Sequence, residues 1–220
     1  MIAKQITGEK AAEYVKDGMK IGLGTGSTAY YAVKKVGEMV RNGLNVKAVP
    51  TSKETAELAE EEGIELIELA DVDKLDLTID GADEVDKDFN LTKGGGGALL
   101  REKIVASASE KLIVIVDESK LTDKLGAFPL PVEITPFSWQ YTKKMIDKFD
   151  CSSKIRKKDG EIFLTDNGNY ILDCDFGQID DPIKLSEELN KIPGVVENGI
   201  FAEMAEIVIV GFDSGEVKIL

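Results

Sequence analysis

With 220 residues, of which 43% are hydrophobic and 31% charged, the chain can bury a substantial core as one large domain or two small ones. A net charge of -14 argues against nucleic acid as a partner, because phosphate backbones are held by clustered Lys and Arg, yet it leaves room for a small phosphorylated ligand in a locally positive pocket. The chain has no histidine, which removes Ser-His and Cys-His nucleophile pairs, His-rich metal sites and imidazole acid/base chemistry, and leaves proton transfer to carboxylates, lysines and tyrosines.

The first residues carry charges throughout and contain no apolar stretch, so neither a signal peptide nor a membrane span is expected. Residues 4–15 fit a helix with Ile6, Ala11, Ala12 and Val15 on one side, closed by Gly18. The apolar run 19–23 reads as a strand that opens into Gly24, Thr25, Gly26, Ser27 and Thr28, and the helix after it is marked by Ala29, Val33, Val36 and Val40. A strand, a glycine-rich turn and a helix build a phosphate cradle from backbone N–H groups, and Thr25, Ser27 and Thr28 add hydroxyl donors. A nucleotide is not expected there. Walker A requires a lysine after Gly26, and the dinucleotide fingerprint requires a glycine where Ser27 stands and an acid at the end of the next strand, residues 46–51.

Thr51 and Glu54 fit a capping box for a helix that passes Leu58 and stops at Gly63. Strands are predicted over 64–69 and 75–79, with Asp80 and Asp83 at the carboxyl end of the second, where open parallel sheets bind ligands. Next come Lys93, four consecutive glycines and a helical segment that carries Glu102. Four glycines in a row cost backbone entropy and add no side-chain packing, so they mark a place where backbone approaches something closely. Amides before a helix attract anions, and Lys93 adds a full positive charge. Glu102, about one and a half turns into the predicted helix, shares a face with Ala98, Val105, Ala106 and Ser109. Partial burial on such a face suits a general base that must also return its proton.

Residues 111–116 form another apolar strand, followed by Asp117, Ser119 and Lys120 at the same edge. Alternating strands and helices up to about Gly126 predict an α/β fold, a Rossmann-like doubly wound and mostly parallel sheet. After Phe128-Pro129-Leu130-Pro131 the rhythm changes: a strand over 132–134, a helix over 139–149, short strands near Ser152, Ile162 and Tyr170, a helix over 182–189 and a strand near Val195. These fit a smaller two-layer α+β, ferredoxin-like domain. Strands over 205–212 and 217–220 return to the first domain. The expected division is therefore 1–128, completed by 205–220, and 129–204. Cys151 and Cys174 are not in Cys-x-x-Cys spacing and read as buried reduced thiols of a cytoplasmic protein.

The ordered series GLGTGSTA, TSKETAELA, DLTIDGADEVD, LTKGGGGALLREK, DESKLTDKLG, FPLPVEI, LTDNGNYILD and IPGVVENGIF resembles the ribose-5-phosphate isomerase family of the A type. The resemblance implies an aldose-ketose isomerase of the non-oxidative pentose phosphate pathway, interconverting D-ribose 5-phosphate and D-ribulose 5-phosphate through an enediolate. It implies that Thr25, Gly26, Ser27, Thr28, Lys120 and Lys4 hold the phosphate end. By the same resemblance, Asp80, Gly81, Ala82 and Asp83, with Lys93, Gly94, Gly95 and Gly96, surround the sugar, and Glu102 is the base. Asp80 then helps to open the furanose ring, Asp83 orients hydroxyls or relays a proton, and Lys93 with the glycine amides receives the enediolate oxygen. No metal or other cofactor is implied, and a cytoplasmic homodimer or homotetramer is. Two alternatives stay open. A CoA-transferase-like enzyme would use a glutamate as acyl acceptor but would need a site for a long CoA arm. A sugar-phosphate sensor would keep the cradle, and no basic DNA-reading helix accompanies this one.

Overall fold

The computed structural model describes residues 2–220. Its helices are α1 (Ile2–Ala12), α2 (Ala29–Arg41), α3 (Lys53–Glu61), α4 (Leu99–Ser107), α5 (Trp139–Ile146) and α6 (Pro182–Asn190). The strands up to the middle of the chain are β1 (Lys20–Leu23), β2 (Lys47–Pro50), β3 (Glu65–Leu66), β4 (Leu77–Gly81), β5 (Glu84–Val85), β6 (Leu91–Thr92) and β7 (Leu112–Asp117). They are followed by β8 (Leu130–Ile134), β9 (Ser152–Ile155), β10 (Lys157–Lys158), β11 (Glu161–Ile162), β12 (Tyr170–Asp175), β13 (Val195–Asn198), β14 (Ile200–Phe201), β15 (Ala205–Gly211) and β16 (Val217–Ile219). The chain forms two compact units, one of Met1–Ala82, Arg101–Leu121 and Met204–Leu220, the other of Asp83–Leu100 and Thr122–Glu203. This division differs from the expected one, because residues 83–100 and 122–128 fall with the second unit.

The first unit is built on a seven-stranded sheet in the order β16-β15-β7-β4-β1-β2-β3. All neighbours are parallel except β15 and β16, which makes the Rossmann-like, doubly wound sheet that the strand-helix alternation predicts. Successive strand residues face opposite sides. Ala48 joins a core with Ile21, Leu23, Ile79 and Ile113 that is covered by Ala11, Ala12, Val33, Val36 and Ala59 of α1 to α3. Val49 faces the other way and packs with Leu75 and Val105 of α4.

Several local predictions shift. The strand expected over 64–69 shrinks to β3, followed by a 3-10 turn at Leu69–Asp71. The strand expected over 75–79 runs instead to Gly81, so Asp80 lies within it. The α3 cap is Ser52, whose side chain accepts from the Thr55 N–H; Thr51 stands one residue too early. The helix after the glycines begins at Leu99, so Glu102 sits in its first turn, and Ser109 lies beyond its end and pairs with Thr78 at 2.6 Å.

The second unit contains a four-stranded antiparallel sheet in the order β13-β8-β12-β9. With α5 after β8 and α6 before β13, this is the ferredoxin-like βαββαβ arrangement. Leu130, Val132, Ile134, Leu172 and Cys174 pack against Ile146 of α5 and Leu189 of α6. Cys174 is 1% exposed, whereas Cys151 is only half-buried, so the expectation of two buried thiols holds for one of them. The same unit holds a small sheet, β14-β6-β5, and the hairpin β10-β11.

Candidate active site

In the first unit, the candidates stand at the carboxyl ends of β1, β4 and β7, three strands adjacent in the sheet. Gly24, just past β1, donates its N–H to the carbonyl of Ile79 at 2.9 Å. That contact presses the turn onto Asp80: a β-carbon on Gly24 would lie 2.1 Å from Asp80 Oδ1. The same oxygen accepts the N–H of Thr25 at 3.2 Å and of Gly81 at 2.7 Å. Asp80 is 1% exposed, and the backbone donors around it fix where its carboxylate points.

The hydroxyl of Thr25 is not directed at an open cradle. It lies 2.7 Å from the Thr51 hydroxyl, donates to Ser52 Oγ at 2.9 Å and lies 3.1 Å from Thr55 Oγ1, while Thr55 donates to the Gly24 carbonyl at 3.0 Å. This hydroxyl cluster ties the β1 turn to the start of α3. With its N–H on Asp80 too, Thr25 supports the turn as well as standing within it. Gly26, at φ 110°, takes the left-handed bend. Ser27 is exposed and Thr28 half-buried, at the N-terminus of α2. The ammonium of Lys4 on α1 donates to Ser27 Oγ at 2.8 Å, which brings a cation to the turn.

Lys120 closes a 3-10 turn after β7 and is half-buried. Asp117 caps that turn by accepting the Ser119 N–H at 3.1 Å. Glu102 is 5% exposed, deeper than its helix face alone suggests. Gly81 and Ala82 carry the chain from Asp80 to the start of the second unit.

In the second unit, Asp83 and the glycine run form a second carboxylate-glycine pair. The N–H of Gly95 reaches Asp83 Oδ2 at 2.7 Å, and a β-carbon on Gly95 would lie 2.5 Å from Asp83 Oδ1. Asp83 is itself anchored by its N–H on the Thr92 carbonyl at 2.8 Å. Lys93 follows β6, donates its N–H to the Gly199 carbonyl at 2.8 Å and places its ammonium 5.4 Å from the centre of the Phe201 ring. It is 3% exposed, so its charge is held among protein groups. Gly94 and Gly96 flank Gly95, and the N–H of Gly97 turns back to the Gly94 carbonyl at 2.9 Å. The next acids of the same segment have structural tasks. Glu84 accepts the N–H groups of Gly126 and Phe128, both at 3.0 Å, and Asp86 accepts those of Asp88 and Asn90.

Arg156 is the side chain that sequence reasoning missed. Its guanidinium donates to the carbonyls of Gly94 at 2.8 Å and Gly95 at 3.1 Å. It stands in a basic run that reads as solvated surface, and its partners are 62 and 61 residues away, so no local pattern signals it. Among the described residues, no helix is long and apolar enough to cross a membrane.

The family model for ribose 5-phosphate isomerase A (phosphoriboisomerase A) matches residues 47–215. The chain is 55% identical over 216 residues to the ribose-5-phosphate isomerase A of Bacillus mycoides (strain KBAB4), with 98% of each chain covered. Among solved structures, it is similar to a D-ribose-5-phosphate isomerase in complex with phospho-erythronic acid, with a TM-score of 0.95, 44% identity and 99% and 96% of the two chains covered. It is also similar to ribose 5-phosphate isomerase A of Methanocaldococcus jannaschii, with a TM-score of 0.94, 43% identity and 99% and 97% covered.

Proposed function

The chain belongs to the ribose 5-phosphate isomerase A family and interconverts D-ribose 5-phosphate and D-ribulose 5-phosphate, and from that premise we propose that Glu102 is the base that carries the proton between C2 and C1. Asp80 opens the furanose by taking the proton of the anomeric hydroxyl and delivering it to the ring oxygen as the bond from C1 to that oxygen breaks, which exposes the C1 aldehyde. Glu102 then removes the C2 proton. The electron pair of that bond becomes the C1–C2 double bond, and the carbonyl pair moves onto the C1 oxygen, giving an enediolate. Return of the proton from Glu102 to C1, with transfer of the C2 hydroxyl proton to the C1 oxygen, leaves the ketose.

Charge that develops on oxygen needs donors already in place. Lys93 and the amide of Gly96 have that role, while the Gly95 amide holds Asp83, which orients the sugar hydroxyls or relays the proton between the two oxygens. The turn at residues 25–28, with Lys4 and Lys120, receives the phosphate. The related enzyme solved with phospho-erythronic acid supports an enediolate intermediate, because a planar carboxylate next to a hydroxyl-bearing carbon has the shape and charge of an enediolate.

The observation that carries the assignment is the burial of Glu102, 5% exposed in the first turn of the helix that the glycine run enters. A carboxylate kept from bulk water at such a place holds an abstracted proton long enough to return it. Formation of ribulose 5-phosphate from ribose 5-phosphate, with unphosphorylated ribose as the control, tests the reading directly; equal turnover of the two sugars would overturn the phosphate assignment. The enzyme is cytoplasmic and acts as a homodimer or homotetramer, which light scattering of the purified protein decides.

A further inference from the structure

A run of four glycines has no side chain to decide which way its peptides face, so something outside the run must decide it. The groups that do so lie in the second unit. The Nη1 of Arg156 donates to both the Gly94 and Gly95 carbonyls, at 2.8 and 3.1 Å. Its fork is fixed in turn by Asp173 on β12, which accepts Nε at 3.1 Å on Oδ2 and Nη2 on Oδ1. The Arg156 side chain is 14% exposed, and its guanidinium carbon lies 5.9 Å from the centre of the Phe163 ring. That ring also fills the space over Gly97, where a β-carbon would come within 2.5 Å of Phe163 Cζ.

A trans peptide points its C=O and the following N–H in opposite directions. Holding the Gly94 carbonyl on Arg156 therefore aims the Gly95 N–H the other way, onto Asp83 Oδ2 at 2.7 Å. Holding the Gly95 carbonyl likewise turns the Gly96 N–H away from the guanidinium. A cation on a carbonyl oxygen also polarises the amide and strengthens its N–H as a donor. We propose that Arg156, locked by Asp173, is a positioning residue for the isomerisation: it sets the direction and donor strength of the Gly95 and Gly96 amides and, through Gly95, the position of the Asp83 carboxylate. The proposal rests on the reading of the glycine run as part of the substrate site. Lysine cannot replace arginine in this role, because a single ammonium lacks the planar fork that is gripped by Asp173 on one edge while facing two carbonyls on another.

The test compares Arg156→Lys, Asp173→Asn and Lys93→Met with the native enzyme in kcat, KM, competitive inhibition by inorganic phosphate and thermal midpoint. Arg156→Lys is expected to lower kcat about 10- to 100-fold, as displaced catalytic groups do, while inhibition by phosphate stays within about twofold. Asp173→Asn is expected to give a smaller fall in the same direction. An unchanged kcat in folded Arg156→Lys, with Lys93→Met impaired, overturns the proposal and leaves the site reading standing; unchanged turnover in Lys93→Met overturns the site reading itself. A parallel loss of kcat, phosphate inhibition and thermal midpoint also overturns the proposal, since it describes support of the fold alone. If Arg156→Lys does not fold, Asp173→Asn decides by the same criteria, and failure of both to fold counts against a positioning role.

Discussion

Gly24 lies so close to Asp80 that a β-carbon would stand 2.1 Å from the carboxylate oxygen and 2.6 Å from the Asp80 α-carbon. Backbone cannot retreat there without breaking the bond from the Gly24 N–H to Ile79 or the Thr25 and Gly81 contacts with Asp80. Gly24→Ala must therefore displace the acid or the turn. The fold should lose about 1–3 kcal/mol, as overpacked sites do, while kcat/KM falls about 100-fold through misplacement of Asp80. Steady-state kinetics beside a thermal melt separates the two effects, and a variant with native kcat/KM would show that the close packing has no bearing on the reaction.

Removal of the proton carrier is the direct test of Glu102. Glu102→Gln keeps the shape of the side chain in its buried first-turn position. It cannot accept the C2 proton, so kcat should drop by at least about 100-fold while substrate binding survives. The comparison needs kcat from turnover and an independent binding measurement, such as calorimetry with a non-reacting sugar acid phosphate. Near-native kcat would take Glu102 out of the proton transfer.

Much of this arrangement is legible in the sequence wherever function coincides with local pattern. The strand, glycine turn and helix at 19–40 were readable because apolar period and glycine usage change within a few residues, and Val33 and Val36 are indeed in the core. The burial of Glu102 agrees with its apolar helix face, whereas Asp80, expected just past a strand end, lies within the strand. The pairing of β5, β6 and β14 was not, since each is two residues long and too short to show a period. Nor was the grouping of residues 83–100 with the second unit, which depends on partners such as Gly199 and Arg156 far along the chain. The α3 cap shows the finer limit. Thr51 and Ser52 are both hydroxyl residues suited to capping, and what separates them is that Thr51 is drawn into the Thr25 cluster.

An acid-sensitive contribution to stability sits away from the site. Lys34 and Arg41 on α2 both grip the carboxylate of Glu62, whose side chain is 7% exposed, with the Arg41 contact at 2.6 Å. The hydrogen bonds from Lys34 and then Arg41, opposed by burial, hold the Glu62 carboxyl below its ordinary value of 4.5. A carboxyl depressed in the folded state binds its proton more readily when unfolded, so its contribution is present above the unfolded value and is lost as pH falls through the lowered one. Glu62→Gln should thus be less stable than the native chain near neutrality, and the gap should close in acid. Urea unfolding at a series of pH values measures it; a gap independent of pH would mean that packing, and not charge, accounts for Glu62.

The two thiols should differ in reactivity. Cys174 is 1% exposed in the core beneath α5 and α6. The neighbouring Cys151 thiol, together with burial, pushes the Cys174 thiol far above the ordinary range. Thiolate is the reacting form, so a thiol reagent at about pH 8 should label Cys151 and leave Cys174 untouched until the second unit opens. Mass spectrometry of labelled peptides reads the order, and equal rates at both positions would contradict the packing described for Cys174.

Proton transfer through Glu102 also differs in kind from a hydride shift between C2 and C1. A hydride never becomes exchangeable, and that route ordinarily relies on a divalent cation to polarise both oxygens. A proton held on a carboxylate can exchange with water before it is returned, in competition with reprotonation of the enediolate. The chain offers no imidazole for a metal, and the two aspartates of the site are bound by backbone amides, Asp80 by Thr25 and Gly81 and Asp83 by Gly95. In deuterated water with a chelator present, isomerisation should therefore continue, and deuterium should appear at the carbon that receives the proton, C1 of the ketose in one direction and C2 of the aldose in the other. Partial incorporation fits the same mechanism, because internal return competes with exchange. Activity that disappears with the chelator and returns with a divalent metal, with no deuterium in either sugar after many turnovers, would refute proton transfer by Glu102 and leave the fold and the phosphate turn unaffected.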